Sequence, residues 1–163
     1  NYKNALLIII PRHINRVAEI SKDLSSLNLN VILYSDISKI NNDTDVVLVD
    51  TYGEAPKFFK ISKNVFLGGS MISHGGQNPI EASRLGCKIF HGPHINNFSE
   101  IYALLKSLMV SNEVNSQNDL YQALVSDFEN KNQENSHIIN KINSHGEAVL
   151  NNVMKEIKVY INI

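Results

Sequence analysis

The residues able to do chemistry concentrate between Val65 and Ile101, in the run VFLGGSMISHGGQNPIEASRLGCKIFHGPHINNFSEI. This span holds an apolar strand, the glycine pairs Gly68-Gly69 and Gly75-Gly76, two helix starts and a Gly92-Pro93-His94 loop. Helix starts that follow glycine-rich turns present unpaired backbone N–H groups, which is the chemistry needed to hold a phosphate or a sugar carboxylate. Gly68-Gly69-Ser70 and the second pair would let backbone approach a ligand closely, although glycines also serve simply as tight-turn residues. Asn78-Pro79-Ile80-Glu81 has the form of an N-cap, a first-turn proline and an acidic third position. Asn78 and Glu81 therefore either cap a helix or contact a ribose or phosphate, and the two roles can coexist. Arg12 follows an apolar run, and its planar fork suits a phosphate or carboxylate; a solvated loop arginine is the alternative. His74, His91 and His94 invite a zinc reading, but no Cys pair or HExxH accompanies them and the expectation is no metal. No Ser-His-Asp order and no Gly-x-Ser-x-Gly stands out.

The elements that must position these residues alternate in type. Ala5–Ile10 (ALLIII) reads as a strand buried on both faces. Ile14, Val17, Ala18, Ile20, Leu24 and Leu27 recur at helical spacing. Val31–Tyr34, Asp45–Val49, Asn64–Leu67 and Lys88–His91 read as further strands, with a short helix over Ala55–Ile61 and capped helices starting near Asn78 and Asn97. Gly86 is a good helix stop, and Cys87 after it reads as a core residue. Ser111–Asp119 is polar and reads as a loop, and from Gln117 onward the chain reads as three helices. Strands alternating with helices predict an α/β, Rossmann-like parallel sheet with helices on both faces and a helical C-terminal tail. In such a sheet ligands bind beyond the carboxyl ends of the strands. Pro11-Arg12-His13, Asp50–Glu54, Gly68–Asn78 and Gly92–Asn97 all follow strands and should gather at one edge.

At 163 residues, 43% hydrophobic and 19% charged, the chain has the composition of a soluble globular domain. A formal net charge of −1 gives nucleic acid no electrostatic footprint, and a single cysteine excludes an internal disulfide. The longest apolar run stops at Pro11, too short for a membrane span, and no signal-peptide pattern is expected. A core-type strand almost at Asn1 leads us to expect a piece of a longer protein.

The span Gly68–Ile101 resembles the C-terminal domain of 3-deoxy-D-manno-octulosonic acid (Kdo) transferases. The family pattern is similar to G-G-S-x-x-x-x-G-G-x-N-P-x-E, an apolar strand, then G-P-H-x-x-N-F-x-E. Here it reads Gly68-Gly69-Ser70, Gly75-Gly76, Asn78-Pro79, Glu81, then Gly92-Pro93-His94, Asn97-Phe98 and Glu100. Pro11-Arg12-His13 resembles the family's P-R-H, and Asp50-Thr51-Tyr52-Gly53-Glu54 its D-T-x-G-E. The resemblance covers roughly the first hundred residues. Tyr52 departs from a common Met, and Ala82 from a common Pro.

The resemblance implies one lobe of a two-lobed GT-B glycosyltransferase, with residues 1–163 as the donor-binding domain and an N-terminal acceptor lobe outside this chain. The implied substrate is CMP-Kdo, with no cofactor and no metal, and the acceptor is a lipid A precursor met by the full-length enzyme. Inversion at the anomeric carbon is implied. Arg12 would meet the donor's phosphate or carboxylate, and Tyr52, Gly53 and Glu54 the cytidine. Gly69, Ser70, Asn78 and Glu81 would line the nucleotide cleft. The family's catalytic base is a glutamate of the N-terminal lobe, so no catalytic residue is expected here and the chain alone should be inactive. The full-length enzyme would work at the cytoplasmic face of the bacterial inner membrane, this part being soluble. In GT-B enzymes the final helix commonly crosses back to the first lobe, which would leave part of the Ala148–Tyr160 apolar stripe without a partner here; the alternative is that this helix packs on the domain's own sheet. The alternatives are another GT-B lobe, from a UDP-sugar transferase or epimerase, and a non-catalytic nucleotide-binding regulatory domain.

Overall fold

The computed structural model describes residues 5–129 and 135–161, which form two units divided between Phe58 and Phe59. The first holds β1 (Leu7–Ile9), a 3-10 turn at Ile14–Arg16, α1 (Val17–Ser26), β2 (Val31–Leu33) and β3 (Val46–Leu48). Helix α2 (Ala55–Phe59) ends at the division. The second holds β4 (Asn64–Leu67), α3 (Ile80–Arg84), β5 (Lys88–His91), α4 (Ser99–Ser107), β6 (Ser111–Glu113), α5 (Gln117–Glu129) and α6 (Asn135–Ile161). The predicted alternation of parallel strands and helices is present. Hydrogen bonding groups the strands as two three-stranded parallel sheets, β1-β3-β2 and β4-β5-β6.

In the first unit the most deeply buried strand is β3 rather than β1. Val46, Val47, Leu48 and Val49 are buried, whereas Leu7 is 51% exposed. The reason is position in the sheet. β3 is flanked on both sides, with Val47 between Ile8 and Ile32, while β1 pairs on one side only. A continuous apolar run marks a strand; it does not say which one is central.

In the second unit, alternation along β5 sends its side chains to two faces. Ile89 joins a core with Leu67 of β4, Ala82 of α3, Tyr102 and Leu105 of α4, Val110, and Ile138 of α6. Lys88 points the other way, to an ion pair with Asp127 of α5, Nζ to Oδ1 2.6 Å. Helices therefore cover both faces, as predicted. Strand β6 falls inside the expected loop, and the two expected last helices are the single 27-residue α6. Its first turns are anchored: Ile138 and Ile142 pack on the core, and Lys141 Nζ donates to Leu108 O at 2.8 Å at the end of α4. Beyond them Val149, Leu150, Val153, Met154, Ile157, Tyr160 and Ile161 are exposed. Among the described residues no helix is long and apolar enough to cross a membrane.

Burial of two weak acids in this core sets a pH limit. Cys87 is fully buried with its thiol against Phe59 O, and burial pushes its pKa from 9.0 up to about 11. Burial likewise raises Tyr102 from 10.0 to about 12. Above about pH 9 the unfolded chain releases these protons first, so it binds fewer protons than the folded chain and stability falls as pH rises. Thermal melting followed by circular dichroism should show a melting temperature that declines from about pH 9 upward. Cys87→Ala should flatten the first part of that decline; a parent profile flat to about pH 11 contradicts this account.

Candidate functional site

Within the first unit, parallel pairing of β1 with β3 puts the segments after them beyond the same sheet edge. One segment carries Arg12 and the other Tyr52, Gly53 and Glu54. Arg12 is exposed and has no ion-pair partner among the described residues. Tyr52 is 66% exposed, and Gly53 turns the chain through a left-handed φ of +82°. Glu54 is committed inward. Its Oε2 lies 2.7 Å from Lys57 Nζ in an ion pair. Pairing with Lys57 holds its carboxyl below the usual range; burial opposes that, and the Tyr34 hydroxyl adds to it. Asp50, read from sequence only as part of a motif, has a structural task. Its carboxylate accepts Ser35 Oγ at 2.6 Å and Ser35 N at 3.0 Å, tying the end of β2 to the end of β3. The Ser35 hydroxyl is the main cause of its lowered pKa.

Within the second unit, the segments after β4 and β5 fold onto each other. Ser70 lies at the junction and is fully buried. Its hydroxyl donates to Leu67 O at 2.7 Å and accepts Gly92 N at 2.8 Å, and its carbonyl accepts His94 N at 2.9 Å. Both loops are thus closed around one serine whose hydroxyl is already engaged twice. Further along, Asn97 N donates to Gly75 O at 3.3 Å, and Asn97 Nδ2 to His74 O at 3.4 Å. A Cβ at Gly75 would lie 2.6 Å from Asn97 Cγ, so Asn97 can approach only a glycine there. Asn97 and Gly92 were visible in the sequence only as motif letters. Their work is to bring the two loops together.

Asn78 and Glu81, which could share a capping box, separate. Asn78 Oδ1 accepts Ile80 N at 3.0 Å, a local bond two residues on, while the N-cap of α3 is Pro79, with no side-chain cap bond, and not Asn78 as expected. Glu81 is exposed and has no hydrogen-bond or ion-pair partner among the described residues. Gly69 is left-handed at φ +74°, and its carbonyl accepts Gly76 N at 3.4 Å. The eight candidate residues therefore divide. Among the described residues Arg12, Tyr52 and Glu81 present side chains without a partner and Gly53 and Gly69 present backbone, while Glu54 is paired with Lys57 and Ser70 and Asn78 bond nearby backbone. His91 is buried with Nδ1 at 2.8 Å from Gly92 O, and among the described residues no three His, Cys, Asp or Glu side chains gather as a metal site.

No family model matches the chain. It is 35% identical to the 3-deoxy-D-manno-octulosonic acid transferase of Haemophilus influenzae over 124 residues, 76% of this chain and 29% of that protein. The enzyme of the same name from Bordetella pertussis is 36% identical over 96 residues, 58% of this chain and 22% of that protein. A bifunctional glycosyltransferase/methyltransferase of Fusobacterium nucleatum is 28% identical over 163 residues, covering 98% of this chain and 25% of that protein. The chain thus spans less than a third of the length of these relatives. In fold it is similar to the crystal structure of the C-terminal CMP-Kdo binding domain of WaaA from Acinetobacter baumannii. The TM-score is 0.73 at 24% identity, over 88% of this chain and 74% of that one. The fold is the α/β, parallel-stranded fold of that C-terminal GT-B domain. More particularly, the chain resembles the Kdo transferases in sequence, and their C-terminal domain in fold.

Proposed function

We propose that this chain is the donor-binding lobe of a Kdo transferase and that its ligand is CMP-Kdo. The observation that carries the reading is the pair of interlocked loops after β4 and β5. The residues shared with the family motifs meet at the carboxyl edge of a parallel sheet and leave the Glu81 carboxylate free there. A free carboxylate beside exposed backbone suits a ligand carrying sugar hydroxyls as donors. The Arg12 guanidinium, without a partner among the described residues, suits its phosphate or carboxylate.

In the reaction proposed, a hydroxyl of a lipid A precursor attacks the anomeric carbon of the Kdo unit and the bond to CMP breaks with inversion. A glutamate in an N-terminal lobe takes the hydroxyl proton. Arg12 and backbone N–H groups stabilise charge on the departing phosphate. No metal takes part in this scheme. The whole enzyme would act at the cytoplasmic face of the bacterial inner membrane, its own N-terminal lobe completing the cleft. This chain alone would bind donor and transfer nothing.

Titration with CMP, followed by backbone amide NMR, tests the reading. Shifts should cluster at Arg12, Gly53-Glu54 and Gly68–Glu81. Glu81→Gln should weaken CMP-Kdo binding by roughly tenfold, since hydrogen bonds to a charged acceptor contribute about 1.5–3 kcal/mol, at an unchanged melting temperature. UDP binding in preference to CMP would favour a UDP-sugar enzyme. No binding of either, or Kdo transfer by this chain alone, would refute the assignment as a donor lobe.

A further inference from the structure

Tyr102 of α4 is 1% exposed and lies in the apolar core of the second unit, where a phenylalanine would fill the same space. Its hydroxyl reaches out of that core. It donates to Gln77 O at 2.9 Å, in the turn between Gly75-Gly76 and Asn78. A buried tyrosine hydroxyl needs an acceptor, and satisfying it is the plain structural explanation of such a bond. The surroundings point further. Apart from the local His74 N to Ile72 O bond, residues 74–77 are joined to the rest of the second unit by three other described hydrogen bonds: two from Asn97, at 3.3 and 3.4 Å, and Gly76 N to Gly69 O at 3.4 Å. Bonds that long are weak, so the bond from Tyr102, at 2.9 Å, is the short tie between this stretch and the core. The ring is itself held. It packs at a tilt of 52° against buried His91 with centroids 4.3 Å apart, and His91 Nδ1 donates to Gly92 O at 2.8 Å. Gly92 N in turn donates to Ser70 Oγ. One continuous set of contacts therefore runs from α4 through the end of β5 to both loops.

We propose that Tyr102 is a positioning residue for the donor site: its hydroxyl fixes the Gln77 carbonyl and through it the placement of the Asn78–Glu81 turn. The inference rests on the donor-lobe reading. Loss of the hydroxyl loosens the turn that presents Glu81 and leaves the core filled. A core residue that does not touch the turn should affect stability alone.

The test compares the parent chain with Tyr102→Phe and with Leu105→Ala, a buried α4 neighbour in the same core. CMP-Kdo affinity, amide hydrogen exchange and thermal melting are read for each. In Tyr102→Phe, exchange at Gly75–Gln77 should rise and affinity fall, each by roughly five- to tenfold, the weight of one hydrogen bond. Melting should change little. Leu105→Ala should melt lower and keep its affinity. Unchanged exchange at Gly75–Gln77, or unchanged affinity in Tyr102→Phe while the parent binds, overturns the proposal. So does an equal loss of affinity in Leu105→Ala. A parent chain that binds no CMP-Kdo overturns the donor-lobe reading itself, and this inference with it.

Discussion

Gly92→Ala should abolish the native loop arrangement of the second unit and lower its melting temperature by roughly 15 °C or more. A Cβ at Gly92 would overlap Ser70 O and lie 2.6 Å from Ser70 C and 2.7 Å from Met71 Sδ. The first two are backbone atoms of a residue with no exposed surface, so they have nowhere to retreat. If the loops separate to make room, Gly92 N and His94 N lose Ser70 as acceptor. Each stranded buried donor costs about 1–3 kcal/mol, and overpacking costs about as much again. The sum is a large share of the roughly 5–15 kcal/mol that holds a domain together. Gly146→Ala is the matched control. Gly146 lies within α6 with nothing near its missing Cβ, and alanine there should stabilise by about 1 kcal/mol. Equal melting temperatures for Gly92→Ala and the parent would show that the junction yields.

Asp127→Ala should be the next most damaging change. The Lys88–Asp127 pair is 2.6 Å long, with side chains only 16% and 10% exposed. Lys88 Nζ also lies 5.7 Å from the Phe90 ring centroid. Truncating the aspartate leaves an ammonium largely cut off from water, which costs about 3–5 kcal/mol. Helix α5 has no fully buried residue, and this pair ties it to β5. The double variant Lys88→Met with Asp127→Leu should recover most of the loss, since a shape-matched apolar pair removes the charge that needed a partner. Urea unfolding of the two single variants and the double one would measure the coupling. Additive losses would mean that the charges do not depend on each other.

The strands and the loops after them were legible because their signals are local. Val46–Val49 is an apolar run bounded by polar turns, Ile89-Phe90 an apolar pair between a glycine stop and a Gly-Pro turn, and Asn78 announces the helix start that follows it. Strand β6 was not legible. Ser-Asn-Glu has no strand character of its own, and its pairing with β5 is imposed by Val110 and Val114, buried on either side of it. Helix α6 looked like two helices because Asn143, Ser144 and Gly146 interrupt its apolar pattern. On an exposed helix such an interruption costs only about 1 kcal/mol, which continuity overrides. The site was legible by position and not by role. Ser70, Glu54 and Asn78 are chemically apt ligands, and only three-dimensional contacts show that their polar atoms are engaged elsewhere. Tyr102 carried no signal, because its acceptor is a backbone carbonyl 25 residues away in sequence.

The single-piece character of α6 also bears on why its last turns are helical. Residues 149–161 have little packing to hold them, and a stretch of that length sits at or below the roughly 12–15 residues at which an isolated helix becomes marginal in water. The unfavourable step in making a helix is its first turn, with an initiation constant of about 0.001–0.004. Ile138, Lys141 and Ile142 make that turn against the core and the end of α4. Every residue beyond them then needs only propagation, at about one hydrogen bond gained per residue fixed. The tail is thus a helix on credit from its root: cut from residues 135–142, the same sequence would lose its initiation site and melt as a peptide.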